Sequence, residues 1–209
     1  MRNDELNPPG EARRATLPRV VVGLLLVGLA LLGSHALRQR REDQHALWDD
    51  STGVVAFLSA HHLRWVEGKD AGELEPVSVA EAGERLVADF PDGPRLDFLD
   101  GESLTLDGLG VCAMPAGGAS RHLGITWREG GEPAGRVSLF LQRAPSALPL
   151  EEERALELGR ARTGAPVVLG WRRGEVLFFA VSRTRWLPRL LLRELGGPPV
   201  HEPSCLGGT

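Results

Sequence analysis

The fold is decided by SLTLDGLGVCAM (Ser103–Met114), HLGITWR (His122–Arg128) and RVSLFLQR (Arg136–Arg143). Each stretch has the length of a strand, and its apolar residues alternate with polar ones or run continuously, as in half-buried or buried strands. Gly-rich breaks separate them at Pro115–Ser120 and Glu129–Gly135. Connections this short are typical of hairpins, so the region predicts an antiparallel meander.

The segments on either side extend this prediction. Downstream, the periodicity predicts a polar helix at Glu151–Arg162, strands at Pro166–Trp171 and Glu175–Ser182, and a final helix at Leu187–Leu195 with Pro188 in its first turn. Upstream, an amphipathic helix is predicted at Val79–Phe90, ended by a Pro- and Gly-containing turn. The predicted fold class is α+β, with about five antiparallel strands and flanking helices.

The strand at Arg136–Leu141 also predicts how the sheet is covered. Its odd-numbered residues share one face, and Ser138 and Phe140 share the other, because strand side chains alternate. We expect the C-terminal helix to cover the face of Ser138 and Phe140 through Leu191 or Leu195.

The N-terminal region contains an 18-residue run without a formal charge, Val20–Leu37. As a helix it would be about 27 Å long, just enough to cross a bilayer. Three arginines follow it directly, at Arg38, Arg40 and Arg41. They favour an uncleaved signal anchor over a signal peptide cleaved near Ser34-His35-Ala36, although the second interpretation stays open.

The short polar segment before this run and the large domain after it predict a single-pass protein of the cell inner membrane, with the C-terminal domain outside the cytoplasm. The lipid bilayer is therefore a predicted partner. The predicted organisation is a disordered tail at 1–18, a transmembrane anchor at 19–37, a membrane-proximal helix at 38–65, an extracytoplasmic α+β domain at 66–196 and a flexible tail at 197–209.

Composition excludes several functional classes. The 209 residues are 42% apolar and 25% charged, which is ordinary for a globular protein, and the net charge is −4. That charge argues against nucleic-acid binding through a basic surface. Two cysteines exclude a disulfide-rich scaffold and a self-contained four-Cys zinc site.

The histidines do not predict a metal site. His61 and His62 are adjacent, so on a helix they point about 100° apart, and His45 is too far from His61 for a helical pair. We expect one of the adjacent pair to lie at an interface and the other to be exposed. His201 and Cys205 have an acceptable ligand spacing but lie in a Pro- and Gly-rich tail without a second pair. No metal and no cofactor are predicted.

The nucleophiles do not predict an enzyme either. Ser138, Ser182 and His122 lack a Gly-x-Ser-x-Gly elbow and a neighbouring acid, so both serines are expected at half-exposed strand positions. Cys112 lies in an apolar strand, as a small buried residue would. A Cys112–Cys205 disulfide is possible outside the cytoplasm.

An acidic group comprises Asp97, Asp100, Glu102 and Asp107. It lacks the residue order of a calcium-binding loop, so we interpret it as a solvated loop. No catalytic residue is predicted.

Several of these stretches resemble the extracytoplasmic domain of transmembrane anti-sigma factors. The resemblance covers roughly residues 20–195 and rests on Leu106-x-Gly108-x-Gly110-Val111-Cys112, Leu123-x-x-x-Trp127-Arg128, Arg136–Leu141, Gly170–Glu175, Phe178–Ser182 and the Leu-rich final helix. It implies a regulatory or sensory domain with a protein partner in the membrane or envelope.

One feature of that family does not match. Its cytoplasmic zinc module carries His-x3-Cys-x2-Cys, whereas no Cys or His precedes Val20. The chain as written is therefore not expected to bind zinc or a sigma factor. Two alternatives stay open: an exported envelope protein with a cleaved signal peptide and a ligand-binding role, and a full anti-sigma factor whose start codon is misplaced.

Overall fold

The structure is a computed structural model, and the residues that it describes all fall between positions 44 and 209. The described residues are 53–69, 73–91, 93–115, 118–143, 150, 152, 154–158 and 164–201. The predicted tail at 1–18, the predicted anchor at 19–37 and the predicted helix up to residue 52 lie outside them.

Three α-helices and one short 3-10 helix are present in this part of the chain. They are α1 (Val54–Val66), α2 (Val79–Asp89), the 3-10 helix (Asp97–Asp100) and α3 (Leu187–Glu194). Ser78 caps α2 by accepting a hydrogen bond from the backbone N–H of Glu81 at 3.2 Å. The sequence prediction is confirmed for α2 and α3, and for residues 54–65 of the helix predicted at 38–65.

The described strands form one seven-stranded sheet in the order β1-β2-β3-β6-β5-β4-β7. Their bounds are β1 Leu104–Val111, β2 Ser120–Glu129, β3 Glu132–Arg143, β4 Ala155–Leu158, β5 Val167–Arg173, β6 Val176–Ser182 and β7 Val200–His201. Neighbouring strands are antiparallel except for the two-residue β7, which pairs parallel with β4. The predicted α+β class and antiparallel pairing are confirmed, but the order is not a simple meander because β3 pairs with β6.

The sheet separates two apolar cores. The larger core lies against α2, the 3-10 helix and α3, and it receives Leu139 of β3 and Phe178 of β6. The smaller core lies against α1 and receives Phe140 and Phe179 from the other side of the same strands. Alternation along each strand therefore sends successive side chains into different cores.

Two sequence predictions about the sheet are wrong. The helix predicted at Glu151–Arg162 is a strand at Ala155–Leu158. Ala155 enters the larger core while Leu156 and Leu158 pack on the smaller one, so the residues follow a period of two. Leu156 pairs with Gly170 of β5, and this strand pairing overrides the local helical preference.

The covering of β3 also differs from the prediction. Leu191 and Leu195 pack in the larger core, on the face of Leu139, and α1 covers the face of Ser138 and Phe140 instead. Toward the C-terminus, Val200 and His201 pair with β4, although both fall within the flexible tail predicted at 197–209.

Candidate functional site: a buried histidine and serine cluster

The packing of α1 on the sheet brings three polar side chains together inside the protein. His62 lies on the buried side of α1, one turn beyond Leu58. His122 of β2 and Ser138 of β3 point toward α1, because the even-numbered residues of both strands face this side. We call His62, Ser138 and His122 the His–Ser–His cluster.

The cluster is a chain of two hydrogen bonds that meet at one hydroxyl. Ser138 Oγ lies 2.9 Å from His62 Nδ1 and 3.0 Å from His122 Nε2. A serine hydroxyl has one proton, so it donates to one imidazole and accepts from the N–H of the other. Relative exposures are 1% for His62, 2% for His122 and 0% for Ser138, so bulk solvent does not reach these groups.

Aromatic rings enclose the cluster. The His122 ring stacks on Phe140 at a centroid distance of 4.3 Å, and the edge of Trp65 approaches it at 6.0 Å. Gly124 makes this approach possible, because a Cβ there would lie 2.6 Å from Trp65 Cζ2 and 2.5 Å from Leu74 Cδ1. The absence of a side chain at Gly124 of β2 therefore allows α1 to pack closely against the sheet.

Burial keeps both imidazoles neutral. Burial, together with the positive charges of Arg183 and Arg136, lowers the pKa of His62 to about 4. Burial likewise lowers the pKa of His122 to about 3, with contributions from His61 and His62. Neutral imidazoles fit the pattern in which the central hydroxyl donates one bond and accepts one.

The cluster contains a serine beside imidazoles, as nucleophilic sites do, but a substrate has no access to it. A serine beside an imidazole is the beginning of an acyl-transfer site. Among the described residues, however, no carboxylate is bonded to either imidazole, and all three side chains lie in the core. A substrate could reach Ser138 only if α1 left the sheet.

The adjacent histidines differ in their surroundings, as expected for neighbours on a helix. His62 lies at the interface with the sheet, which confirms half of the prediction. His61 is only 16% exposed, and its Nδ1 lies 3.2 Å from Glu73 Oε2, so it is half-buried rather than exposed.

The prediction for the two serines is wrong. Ser138 and Ser182 are both fully buried rather than half-exposed. Ser182 Oγ donates to the carbonyl oxygen of Arg136 at 2.7 Å and accepts from the N–H of Thr184 at 3.0 Å. It holds the end of β6 against β3 and takes no part in the cluster.

The structure tests only part of what the sequence suggests about metal ligands and a disulfide. Within the described ranges, no three His, Cys, Asp or Glu side chains are placed to hold a metal ion. Cys112 is buried, and burial raises the pKa of its thiol. Cys205 and the His201 side chain lie outside the described part, so the Cys112–Cys205 disulfide and any ligation by His201 and Cys205 stay untested.

The predicted acidic loop does not converge on one point. Asp97 begins the 3-10 helix, Asp100 ends it, and Glu102 follows it at the surface. Asp107 lies on β1, where its carboxylate accepts a hydrogen bond from Thr126 Oγ1 at 2.6 Å.

Sequence reasoning treated the cluster residues one at a time and missed their convergence. A usable signal was present in the two central strands. His122, Gly124 and Thr126 alternate along β2, and Ser138 and Gln142 alternate along β3. Polar residues on the same strand face as the apolar Phe140 indicate that polar side chains are buried there and need hydrogen-bond partners inside the protein.

A groove of about 320 Å³ lies on the opposite side of the sheet, between the 3-10 helix and α3. Its apolar lining is formed by Phe98, Leu104, Trp127 and Leu190, and charged residues such as Arg193 border it. The Trp127 ring meets the half-exposed Trp186 edge to face at 5.2 Å.

Comparison with family models, curated proteins and solved structures finds no match for this chain. In the part that the structure describes, no helix combines the length and apolar character needed to cross a bilayer. The predicted span at 20–37 lies outside that part.

Proposed function

We propose that this protein is a membrane-anchored regulatory domain that acts by protein interaction outside the cytoplasm, and that it is not an enzyme. Residues 19–37 would anchor it in the inner membrane. The domain that follows would correspond to the outer half of a transmembrane anti-sigma factor, without the part that binds a sigma factor.

One observation carries the non-catalytic part of this proposal. The serine and two histidines that could begin nucleophilic chemistry are sealed between α1 and the sheet, at 0–2% exposure. A catalytic group must come within hydrogen-bond reach of its substrate. The cluster instead ties a helix to a sheet, which suits a domain whose conformation carries the signal.

The anchored topology rests on the sequence. The uncharged run at 20–37 is long enough to span a bilayer, and the arginines behind it disfavour cleavage. In the sequence, α1 is the first described element after this run, and it is the helix that the cluster holds.

The groove beside Trp127 favours a second candidate function. Its volume of about 320 Å³ is at the lower end of the range for small-molecule sites, and its apolar lining with charged borders is typical of them. An exported envelope protein with a cleaved signal peptide would use such a groove to bind a small ligand.

Topology distinguishes the two candidates. The full chain is expressed in bacterial cells, membranes are washed with alkaline carbonate, and intact spheroplasts are treated with protease. We expect full-length protein in the membrane pellet and a domain that external protease degrades. A matched variant, Leu25→Arg, places a charge in the apolar run and should weaken membrane retention.

Two results would contradict the anchored topology. A soluble mature form that begins near Leu37 would favour the exported ligand-binding protein. A full-length chain that is protected from external protease would place the domain in the cytoplasm and contradict both candidates.

A further inference from the structure

The attachment of α1 to the sheet is small compared with the rest of the fold. Its buried apolar residues are Val54, Val55 and Leu58, and His62 is the remaining buried residue of the helix. The other face of the sheet is covered by two helices and the 3-10 helix around the larger core. A change at His62 therefore acts on the less extensively packed side of the domain.

The hydrogen bonds of the His–Ser–His cluster are compatible with two neutral imidazoles but not with two charged ones. A protonated imidazole has only donors. If both rings were protonated, both would donate to Ser138 Oγ, and the hydroxyl proton would lose its acceptor. Two positive charges would also lie within 3.0 Å of the same buried oxygen.

The charges around the cluster do not compensate such a change. On the positive side, Arg136 of β3 donates to the carbonyl oxygen of Val66 at 3.1 Å, and Arg183 follows β6. Other charged or titratable groups on the packed elements include His61, Arg64 and Glu67 of α1 and Glu73 of the following segment, besides His122 of β2.

The two carboxylates among these groups already have partners. Glu73 lies 3.2 Å from His61 and 3.5 Å from Arg64. Glu67 pairs with Lys69 at 2.7 Å and with Arg183 at 3.7 Å. Neither is bonded to His62 or His122, so a proton added to the cluster would have no counter-charge in contact.

We propose that the His–Ser–His cluster is a pH-sensitive latch, which holds α1 on the sheet at neutral pH and releases it when the surroundings of the domain become acidic. The inference rests on the proposed function, because α1 would be the element that links the anchor to the domain. Release would expose the apolar residues that pack between α1 and the sheet, among them Val54, Leu58 and Phe140.

The direction of the response follows from the lowered pKa values. An exposed histidine has a pKa near 6.5, whereas the pKa is about 4 for His62 and about 3 for His122 when α1 is in place. The attached state therefore binds fewer protons, so its stability is complete above pH 6.5 and falls as the pH drops toward 4. At pH 5 each imidazole favours release by roughly 30-fold.

Hydrogen exchange of the full chain in detergent micelles tests the latch. Protection is compared at pH 7 and pH 5 for peptides that cover α1 (Val54–Val66) and β6 (Val176–Ser182), after correction for intrinsic exchange. We expect the protection of α1 to fall at least tenfold at pH 5 while β6 keeps its protection.

Three variants assign the response to the cluster. His62→Gln can still bond to Ser138 but cannot be charged, so the acid-induced loss should shrink severalfold or more. His122→Gln, on the sheet side of the cluster, should have the same effect. It replaces His62→Gln in the test if α1 of that variant is already detached at pH 7. His61→Gln is the matched control, and it should retain the full response.

The latch would be overturned if α1 of the wild type kept its protection at pH 5. It would also be overturned if α1 and β6 lost protection together, or if both cluster variants responded like the wild type. None of these readouts depends on the anchor. Carbonate extraction reports failure of the proposed membrane function separately.

Discussion

At the residue scale, Ser138 occupies a position where a small polar side chain serves two partners. Its hydroxyl is fully buried and is the shared point of contact for His62 and His122. From the sequence, Ser138 is expected at a half-exposed strand position, where replacement by alanine would be close to neutral. The structure reverses that expectation, because the loss of one hydroxyl leaves two buried nitrogens without their partner.

We predict that Ser138→Ala lowers the free energy of unfolding by about 2–6 kcal/mol, since two buried groups lose their partner and each costs about 1–3 kcal/mol. Urea unfolding of the full chain, followed by tryptophan fluorescence, measures the change. Ser103→Ala removes an exposed hydroxyl and should be close to neutral. Equal unfolding midpoints for Ser138→Ala and the wild type would mean that these hydrogen bonds add nothing.

A second residue-scale prediction compares a glycine at which a side chain would clash with one at which a side chain has space. A Cβ at Gly110 would overlap the carbonyl oxygen of Glu73, whereas a Cβ at Gly83 in α2 would meet nothing within 4 Å. We expect Gly110→Ala to destabilise the domain by about 1–3 kcal/mol. Gly83→Ala should stabilise it by about 0.5–1 kcal/mol, because alanine is the better helix former.

Thermal unfolding of both glycine variants gives the sign of each effect. A stabilised Gly110→Ala would show that the segment around Glu73 does not lie against β1 as the structure has it.

At the element scale, β3 is the strand on which both cores depend. Leu139 is fully buried in the larger core, while Phe140 beside it is fully buried in the smaller one. We predict that Leu139→Asp unfolds the domain, because it places an unpaired charge in the core. Val111→Asp makes the same change at a position of β1 that is 71% exposed, and it should shift stability by less than about 0.5 kcal/mol.

Circular dichroism and thermal unfolding of the two aspartate variants provide the comparison. A wild-type melting curve for Leu139→Asp would mean that the inward face of β3 is assigned wrongly.

Local pattern predicts most elements of this domain but not their long-range pairing. β1, β2, β3, β5, β6, α2 and α3 follow from periodicity and Gly- or Pro-containing breaks. β4 does not follow from the local pattern, because distant segments position its residues. Leu156 pairs with β5, and Glu157 on the opposite face contacts arginines in and just before α3. Glu157 lies 3.6 Å from Arg185 and 3.5 Å from Arg189, and neither contact is visible in the local sequence.

The same limit applies to the site. His62 and Ser138 are 76 positions apart, and His122 comes from a third element. Alternation predicts which strand face each strand residue occupies, but it does not show that α1 rather than α3 covers that face. The choice depends on how both helices pack against the sheet, which periodicity does not encode.

At the scale of the whole molecule, the central claim is that two buried, neutral imidazoles join α1 to the sheet. Nitrogen-15 NMR of histidine side chains in the full chain tests it directly, with His62→Gln and His122→Gln to assign the signals. At pH 6 we predict neutral imidazoles at His62 and His122, since their pKa values are about 4 and about 3. In the urea-unfolded chain most histidine should be protonated at that pH. A folded protein in which either imidazole is mainly protonated at pH 6 would contradict the account.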